Sequence, residues 1–121
     1  MMKTVTGLMF ALSLPCVALA EGADVVGVSK VQASDGSWRF RVTVAHGDEG
    51  WEHYANSWQV LAPNGQVIAT RVLAHPHVEE QPFTRNKSGI VIPEGVDEVI
   101  VRAGDSVHGF SGKTMRVKLS D

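Results

Sequence analysis

The chain has very little cysteine. Cys16 is the one cysteine among 121 residues, so residues 21–121 contain no thiol and cannot form a disulfide among themselves. Thiol catalysis and cysteine-ligated metal centres are therefore excluded for that part of the chain. A metal site there would have to use the side chains of histidine, aspartate, glutamate or methionine.

The chain also lacks an excess of positive charge and a second long hydrophobic run. Eleven lysines and arginines stand against thirteen aspartates and glutamates, which gives a formal net charge of −2. Because there is no basic stripe, nucleic acid is not expected as a partner. No apolar segment after residue 20 approaches the roughly 20 residues that a membrane-spanning helix needs. We therefore expect no stable membrane insertion once the N-terminal segment has been cleaved.

That N-terminal segment has the pattern of a secretory signal peptide. Lys3 supplies a positive charge, residues 8–15 form a short apolar run, and residues 18–20 read Ala-Leu-Ala, which matches an A-x-A cleavage site. A lipoprotein signal that leaves Cys16 at the new terminus is the alternative. Pro15 argues against it, because a lipoprotein site needs a small residue just before the cysteine. The pattern predicts cleavage after residue 20, one domain over residues 21–121, and a periplasmic or secreted location.

The remainder of the chain alternates between apolar and polar residues with a period of two. Trp38, Phe40, Val42 and Val44 show this alternation, which places one face of a strand in a core and the other in water. Turn residues such as Asn64-Gly65 separate the strands. Seven strands are predicted, at about residues 24–33, 38–45, 57–62, 66–73, 86–92, 97–103 and 113–120. This spacing predicts an all-β sandwich of the immunoglobulin-like or fibronectin-III-like kind.

Four of the five histidines lie in three short polar clusters, at residues 51–54, 75–77 and 105–109. His75 and His77 flank Pro76, and in an extended segment residues i and i+2 point to the same side. Two imidazoles held in this way can bind zinc or copper. The alternative interpretation is a rigid loop whose histidines hydrogen-bond to the backbone.

His53 and His108 are the candidate further ligands of this metal site. In a sandwich, the connection between the second and third strands and the connection between the sixth and seventh lie at the same end, so these two histidines could meet. The sequence does not decide whether the segment after Leu73 reaches that end. Asp105 and Glu80 are predicted to orient the ligands, because a carboxylate can fix the tautomer of a liganding imidazole. His46 directly follows a strand and is predicted to lie at the surface.

Trp51, Tyr54 and Phe83 supply aromatic surface near these polar segments. An exposed aromatic beside polar groups can anchor a partner, so the three residues are candidate contacts for another exported protein. Arg85 is expected to pair with Glu79 or Asp105 and to brace its loop.

Three motifs of the sequence resemble a known group of proteins. They are WxHYAxxW over residues 51–58, HPHVxEQPFTR over residues 75–85 and DSVHG over residues 105–109. With these motifs, the chain resembles a family of small, uncharacterised exported bacterial proteins. The resemblance implies export, and it implies neither an activity nor any catalytic residue.

Taken together, these features favour an exported, non-catalytic binding module. Its histidine-centred site would hold a transition metal, with copper or zinc as the candidates, or a small polar ligand. The alternative is a protein–protein interaction module whose histidines are structural. A hydrolase that uses Asp105, Ser106 and a histidine is a remote third interpretation, because no nucleophile-elbow motif surrounds the serine.

Overall fold

The computed structural model describes residues 22–120 and contains seven β-strands and no helix in that range. The strands are β1 (Asp24–Gln32), β2 (Trp38–Ala45), β3 (Ala55–Leu61), β4 (Val67–Val72), β5 (Phe83–Ile90), β6 (Glu98–Asp105) and β7 (Met115–Lys118). The prediction of an all-β fold with seven strands is confirmed. The predicted signal peptide, residues 1–20, lies outside the described residues.

The strands form two antiparallel sheets that pack as a sandwich. One sheet has three strands in the order β1-β2-β5, and the other has four in the order β4-β3-β6-β7. The pairing of β1 with β2 shifts register between Val25 and Gly27, which marks a bulge in β1. Assignment to the immunoglobulin or fibronectin-III class remains a prediction.

The core lies between the sheets and is built from the apolar positions of the alternating strands. Val42 and Val44 of β2 and Val99 and Val101 of β6 have no exposed surface. Trp58, on β3, is also fully buried and is the largest side chain at the centre of the sandwich. The alternation that predicted the strands therefore also identifies the residues of the core.

The pairing register brings three connections to one end of the sandwich. Val44 at the end of β2 pairs with Phe83 at the start of β5. Ala55 at the start of β3 pairs with Asp105 at the end of β6. Two residues after Ala55, Ser57 pairs with Val72 at the end of β4. The connections over residues 46–54, 73–82 and 106–114 therefore share this end, and all five histidines of the sequence lie in them.

Candidate metal centre

Asp105 lies at the centre of the histidine-bearing end. It is the last residue of β6 and is 4% exposed. Three imidazole nitrogens surround its Oδ2 atom: His46 Nε2 at 3.2 Å, His108 Nδ1 at 3.2 Å and His53 Nε2 at 3.7 Å. One carboxylate oxygen thus contacts histidines from two of the three connections.

A tight turn after β6 folds His108 back onto Asp105. The backbone groups of Asp105 and Gly109 pair with each other, and Gly109 has a φ of 66°, in the left-handed region that favours glycine. Inside the turn, Asp105 Oδ1 accepts hydrogen bonds from the amides of Val107 at 2.8 Å and His108 at 2.5 Å. The turn therefore fixes one carboxylate oxygen and leaves the other directed at the imidazoles.

The 46–54 connection supplies the other two histidines. Glu49 N donates to His53 O at 2.8 Å, and His53 N donates to Gly50 O at 3.2 Å, which closes a compact turn. Two hydrogen bonds link the end of this segment to the turn after β6. Ser106 N donates to Tyr54 O, and Tyr54 N donates to Ser106 Oγ. The resulting ring contacts are His46 with His53 at 4.8 Å and His53 with His108 at 4.9 Å between centroids.

A carboxylate holds the Nδ1 atom of each histidine in this segment. His46 Nδ1 lies 2.5 Å from Asp48 Oδ1, and His53 Nδ1 lies 3.1 Å from Glu49 Oε1. Because an ionised carboxylate only accepts hydrogen bonds, Nδ1 of both rings carries a proton. Both Nε2 atoms face Asp105 Oδ2. A neutral imidazole with this tautomer presents its Nε2 lone pair to the centre of the cluster.

The protonation of the cluster reflects its burial and its charges. Burial raises the pKa of Asp105, but the hydrogen bonds from His108 and Val107 outweigh it, and the net pKa lies below the ordinary value. Burial lowers the pKa of His53, but the hydrogen bond to Glu49 and the charge of Asp105 outweigh it, and the net pKa is raised. Asp105 is therefore an anion at neutral pH, and its charge favours the protonated form of His53.

The donor atoms lie close enough together to hold one metal ion. His46, His53 and Asp105 each offer an atom within 4.8 Å of the other two, and no other such group of three occurs in residues 22–120. Metal–nitrogen bonds of about 2.0–2.1 Å in a tetrahedron separate neighbouring donor atoms by about 3.3 Å. The three nitrogen distances to Asp105 Oδ2, from 3.2 to 3.7 Å, bracket that value. His53 Nε2 is also buried without a hydrogen-bond partner.

The predicted His75–His77 pair is present, but it lies in a different environment. The two rings are 4.7 Å apart. His77 is buried, stacks on Phe83 at 4.0 Å, and its Nε2 lies 2.8 Å from Arg85 NH2. Because a guanidinium only donates, His77 Nε2 uses its lone pair to accept this hydrogen bond. That nitrogen is not available to a metal in this conformation.

Several sequence-based expectations change with the structure. His46 is 6% exposed and lies in the cluster, so the prediction that it lies at the surface is wrong. Phe83 is 1% exposed and packs in the core, so it cannot form part of an exposed contact surface.

The ionic partner of Arg85 also differs from the predicted one. Glu80 lies 3.5 Å from the same Arg85 nitrogen that contacts His77, so Arg85 pairs with Glu80 rather than with Glu79 or Asp105. Trp51 is 66% exposed and contacts Tyr54 edge to face at 5.6 Å.

The alternation of β2 contains a signal that identifies His46. Val42 and Val44 point into the core. The positions two and four residues after Val44, which share its face if the alternation continues, are His46 and Asp48. Both are buried. A polar residue on the inward face of a strand needs a buried partner, and these two residues are partners of each other.

His77 gives a pH-dependent prediction. Burial, together with the positive charge of Arg85 and the neighbouring His75, holds the pKa of His77 below its ordinary value of 6.5. The unfolded chain therefore binds this proton more readily than the folded chain does, and folding stability is lost as pH falls through about 6.5. We expect the urea midpoint of the metal-free protein to drop less between pH 7.5 and pH 5 in His77→Gln than in the parent. If the urea midpoint fell equally in the two proteins, the lowered pKa of His77 would be contradicted.

Comparison with known proteins gives an informative similarity. The chain is 40% identical over 95 residues to a Halomicrobium mukohataei protein that bears the name "Putative lipoprotein". The match covers 78% of this chain and 46% of the relative, so the chain spans just under half the length of the protein it matches. No protein-family model matches the chain, and no solved structure matches it. Within residues 22–120, no helix is long and apolar enough to cross a membrane.

Proposed function

We propose that this protein is an exported binding module that holds a transition metal at the Asp105 cluster. His46 and His53 would bind the ion through Nε2 and Asp105 through Oδ2, and His108 would complete the set. The observation that carries the proposal is the convergence of three imidazole nitrogens on one buried carboxylate oxygen, at 3.2, 3.2 and 3.7 Å.

The tautomers of the cluster support a metal over a purely structural network. As a neutral ring, His46 has one N–H for two carboxylates, so it satisfies both Asp48 and Asp105 only as an imidazolium. A divalent cation bound by the Nε2 atoms would replace the protons that otherwise separate these groups. The hydrogen bonds from Nδ1 to Asp48 and Glu49 are the kind that orients liganding histidines in known metal sites.

The chemistry of the donors selects the class of metal. Imidazole nitrogen and carboxylate oxygen suit Zn²⁺ and Cu²⁺, whereas Cu(I) prefers sulfur ligands, and residues 21–121 contain no cysteine. Cobalt and nickel would bind such a site in the general order of divalent affinities. Zinc and copper are therefore the ions to test first.

The test is an equilibrium titration of the metal-stripped protein with Zn²⁺ and Cu²⁺ at pH 7.5. The parent is compared with His53→Ala plus His108→Ala, which removes the two more exposed histidines of the cluster. The matched control is His75→Ala plus His77→Ala, which also removes two histidines. We expect one equivalent to bind tightly in the parent and the control, and affinity to fall at least about 100-fold in the cluster variant. The opposite ranking would move the site to His75 and His77.

Interaction with another exported protein is the second candidate function. Trp51 is exposed beside the cluster, and Tyr54 packs against it. Such a residue could anchor a partner, with or without a metal. A Trp51→Ala variant that loses a co-purifying exported protein, while it binds zinc normally, would support this role.

We further infer that the protein is exported and belongs to the group of exported proteins defined by the WxHYAxxW, HPHVxEQPFTR and DSVHG motifs. The name of the Halomicrobium relative supports an envelope location for that protein. We expect mass spectrometry of the protein from an exporting host to give residue 21 as the first residue and a periplasmic or secreted product. A lipid-modified Cys16 at the terminus would instead show a membrane-anchored lipoprotein.

A further inference from the structure

Asp48 connects the metal cluster to the 73–82 connection. Its side chain has no exposed surface. Oδ1 accepts hydrogen bonds from His46 Nδ1 at 2.5 Å and from the Ala55 amide at 3.0 Å, whereas Oδ2 accepts one from the His77 amide at 2.7 Å. The two oxygens of one carboxylate thus serve two different loops.

Gln81 makes a second connection between the same segments. Its Oε1 accepts a hydrogen bond from the His46 amide at 2.9 Å, and its Nε2 donates to His77 O at 2.9 Å. His46 is therefore tied to the 73–82 connection through both its ring and its backbone. This connection presents His75 and the 56%-exposed side chain of Val78 to solvent.

We propose that Asp48 is a positioning residue that couples metal binding at His46 to the order of the 73–82 connection. The proposal rests on the metal site proposed above. A metal ion on His46 Nε2 fixes the ring and leaves the ring proton on Nδ1, which donates its hydrogen bond to Asp48. The hydrogen bond from His46 then fixes the Asp48 carboxylate, so that its Oδ2 atom holds the His77 amide more firmly. Coupling between sites is reciprocal, so an ordered connection also favours metal binding.

The substitution Asp48→Asn tests this directly, because an asparagine cannot satisfy both sides. Its amide has one oxygen and one NH₂ group. If the NH₂ faces His46, it donates to Nδ1 and forces the ring proton onto Nε2, where it competes with the metal. If the NH₂ faces His77, it meets an N–H donor and the bond to the connection is lost. Either orientation breaks one half of the coupling.

The matched control is Glu49→Gln. Glu49 holds the Nδ1 atom of His53 in the same manner as Asp48 holds that of His46, but its side chain is 71% exposed. It therefore tests the role of a carboxylate partner without disturbing the contact to His77. Both variants conserve side-chain shape and remove one negative charge.

The experiment is amide hydrogen exchange measured by NMR on the purified protein, with and without saturating Zn²⁺, together with a zinc titration. In the parent, zinc should slow exchange of the His77 amide by a factor of roughly 5–150, the range typical of coupled sites. The amide of Gly65, in the hairpin turn between β3 and β4, should not change. Asp48→Asn should lower zinc affinity about 10–100-fold and remove the effect on His77. Glu49→Gln at saturating zinc should keep that effect.

Three results would overturn the proposal. If the parent binds zinc but exchange of the His77 amide is unchanged, the metal site stands and the coupling is absent. If Asp48→Asn binds zinc as tightly as the parent and keeps the protection of His77, Asp48 is not the positioning residue. If the parent binds no zinc, the metal site fails and the coupling fails with it. Should Asp48→Asn not fold, the exchange measurement on the parent decides whether the coupling exists, and Gln81→Ala, which leaves Asp48 in place, should keep the protection of His77 if Asp48 carries it.

Discussion

Replacement of Asp105 by alanine is expected to destabilise the metal-free protein by about 3–5 kcal/mol, the usual cost of removing one partner from a buried charged pair. The carboxylate accepts hydrogen bonds from two backbone amides and faces His46 Nε2 at 3.2 Å. Alanine would leave the two part-buried amides and the buried His46 ring without this acceptor. It would also abolish tight metal binding, because the oxygen that faces His46, His53 and His108 is gone. Urea denaturation in the presence of a chelator measures the first effect, and titration with zinc measures the second.

Asp97→Ala is the matched control for this prediction. Asp97 is an exposed aspartate in the connection between β5 and β6, away from the histidine-bearing end. Its loss should change stability by no more than about 0.5 kcal/mol and leave zinc binding intact. Similar losses in the two variants would show that the Asp105 network contributes little to folding.

Saturating zinc is expected to raise the thermal unfolding midpoint by roughly 10–20 °C. A ligand that binds only the folded state adds about 2.7 kcal/mol when present at 100 times its dissociation constant. For a domain of about 100 residues, each kcal/mol corresponds to a shift of roughly 4–8 °C. The folded state alone brings His46, His53 and Asp105 together, since the 46–54 connection supplies the two histidines and the end of β6 supplies the aspartate. Scanning calorimetry with increasing zinc measures the shift.

The cluster variant and its control separate this effect from weak surface binding. His53→Ala plus His108→Ala should lose most of the shift, whereas His75→Ala plus His77→Ala should keep it. A chelator should return the parent to its metal-free midpoint. A shift that is equal in all three proteins would indicate zinc bound by scattered side chains, and it would leave the interaction-module interpretation as the better one.

The amino-acid sequence by itself determines the strands, the turns and the composition of the core. Phe40, Val42 and Val44 are buried in the structure as their alternation predicts, because the side-chain period of a strand is a local property of the backbone. The turn at Gly65 also follows from local chemistry, since its φ of 95° suits a residue without a side chain. The absence of cysteine after residue 20 likewise limits a metal site to nitrogen, oxygen and thioether donors.

The sequence also predicts part of the candidate site. Because the connections that carry them share one end of a sandwich, the sequence indicates that His53 and His108 could meet, and their rings lie 4.9 Å apart. Which groups accompany them was not predictable from spacing. Asp105 was expected to orient the ligands, yet its Oδ2 lies at the centre of the cluster with the spacing of a ligand.

Tertiary structure alone decides which histidines share the cluster. His46 joins it because Asp105, at the end of β6, contacts the residue that follows β2, although the two are 59 positions apart in the sequence. His77 is directed away because Arg85, eight residues later, donates to its Nε2, although Pro76 holds it next to His75 as expected. The periodicity of a strand can be read from neighbouring residues in the sequence. The partners of a buried imidazole depend instead on how two sheets and three loops pack, and no short sequence pattern encodes that packing.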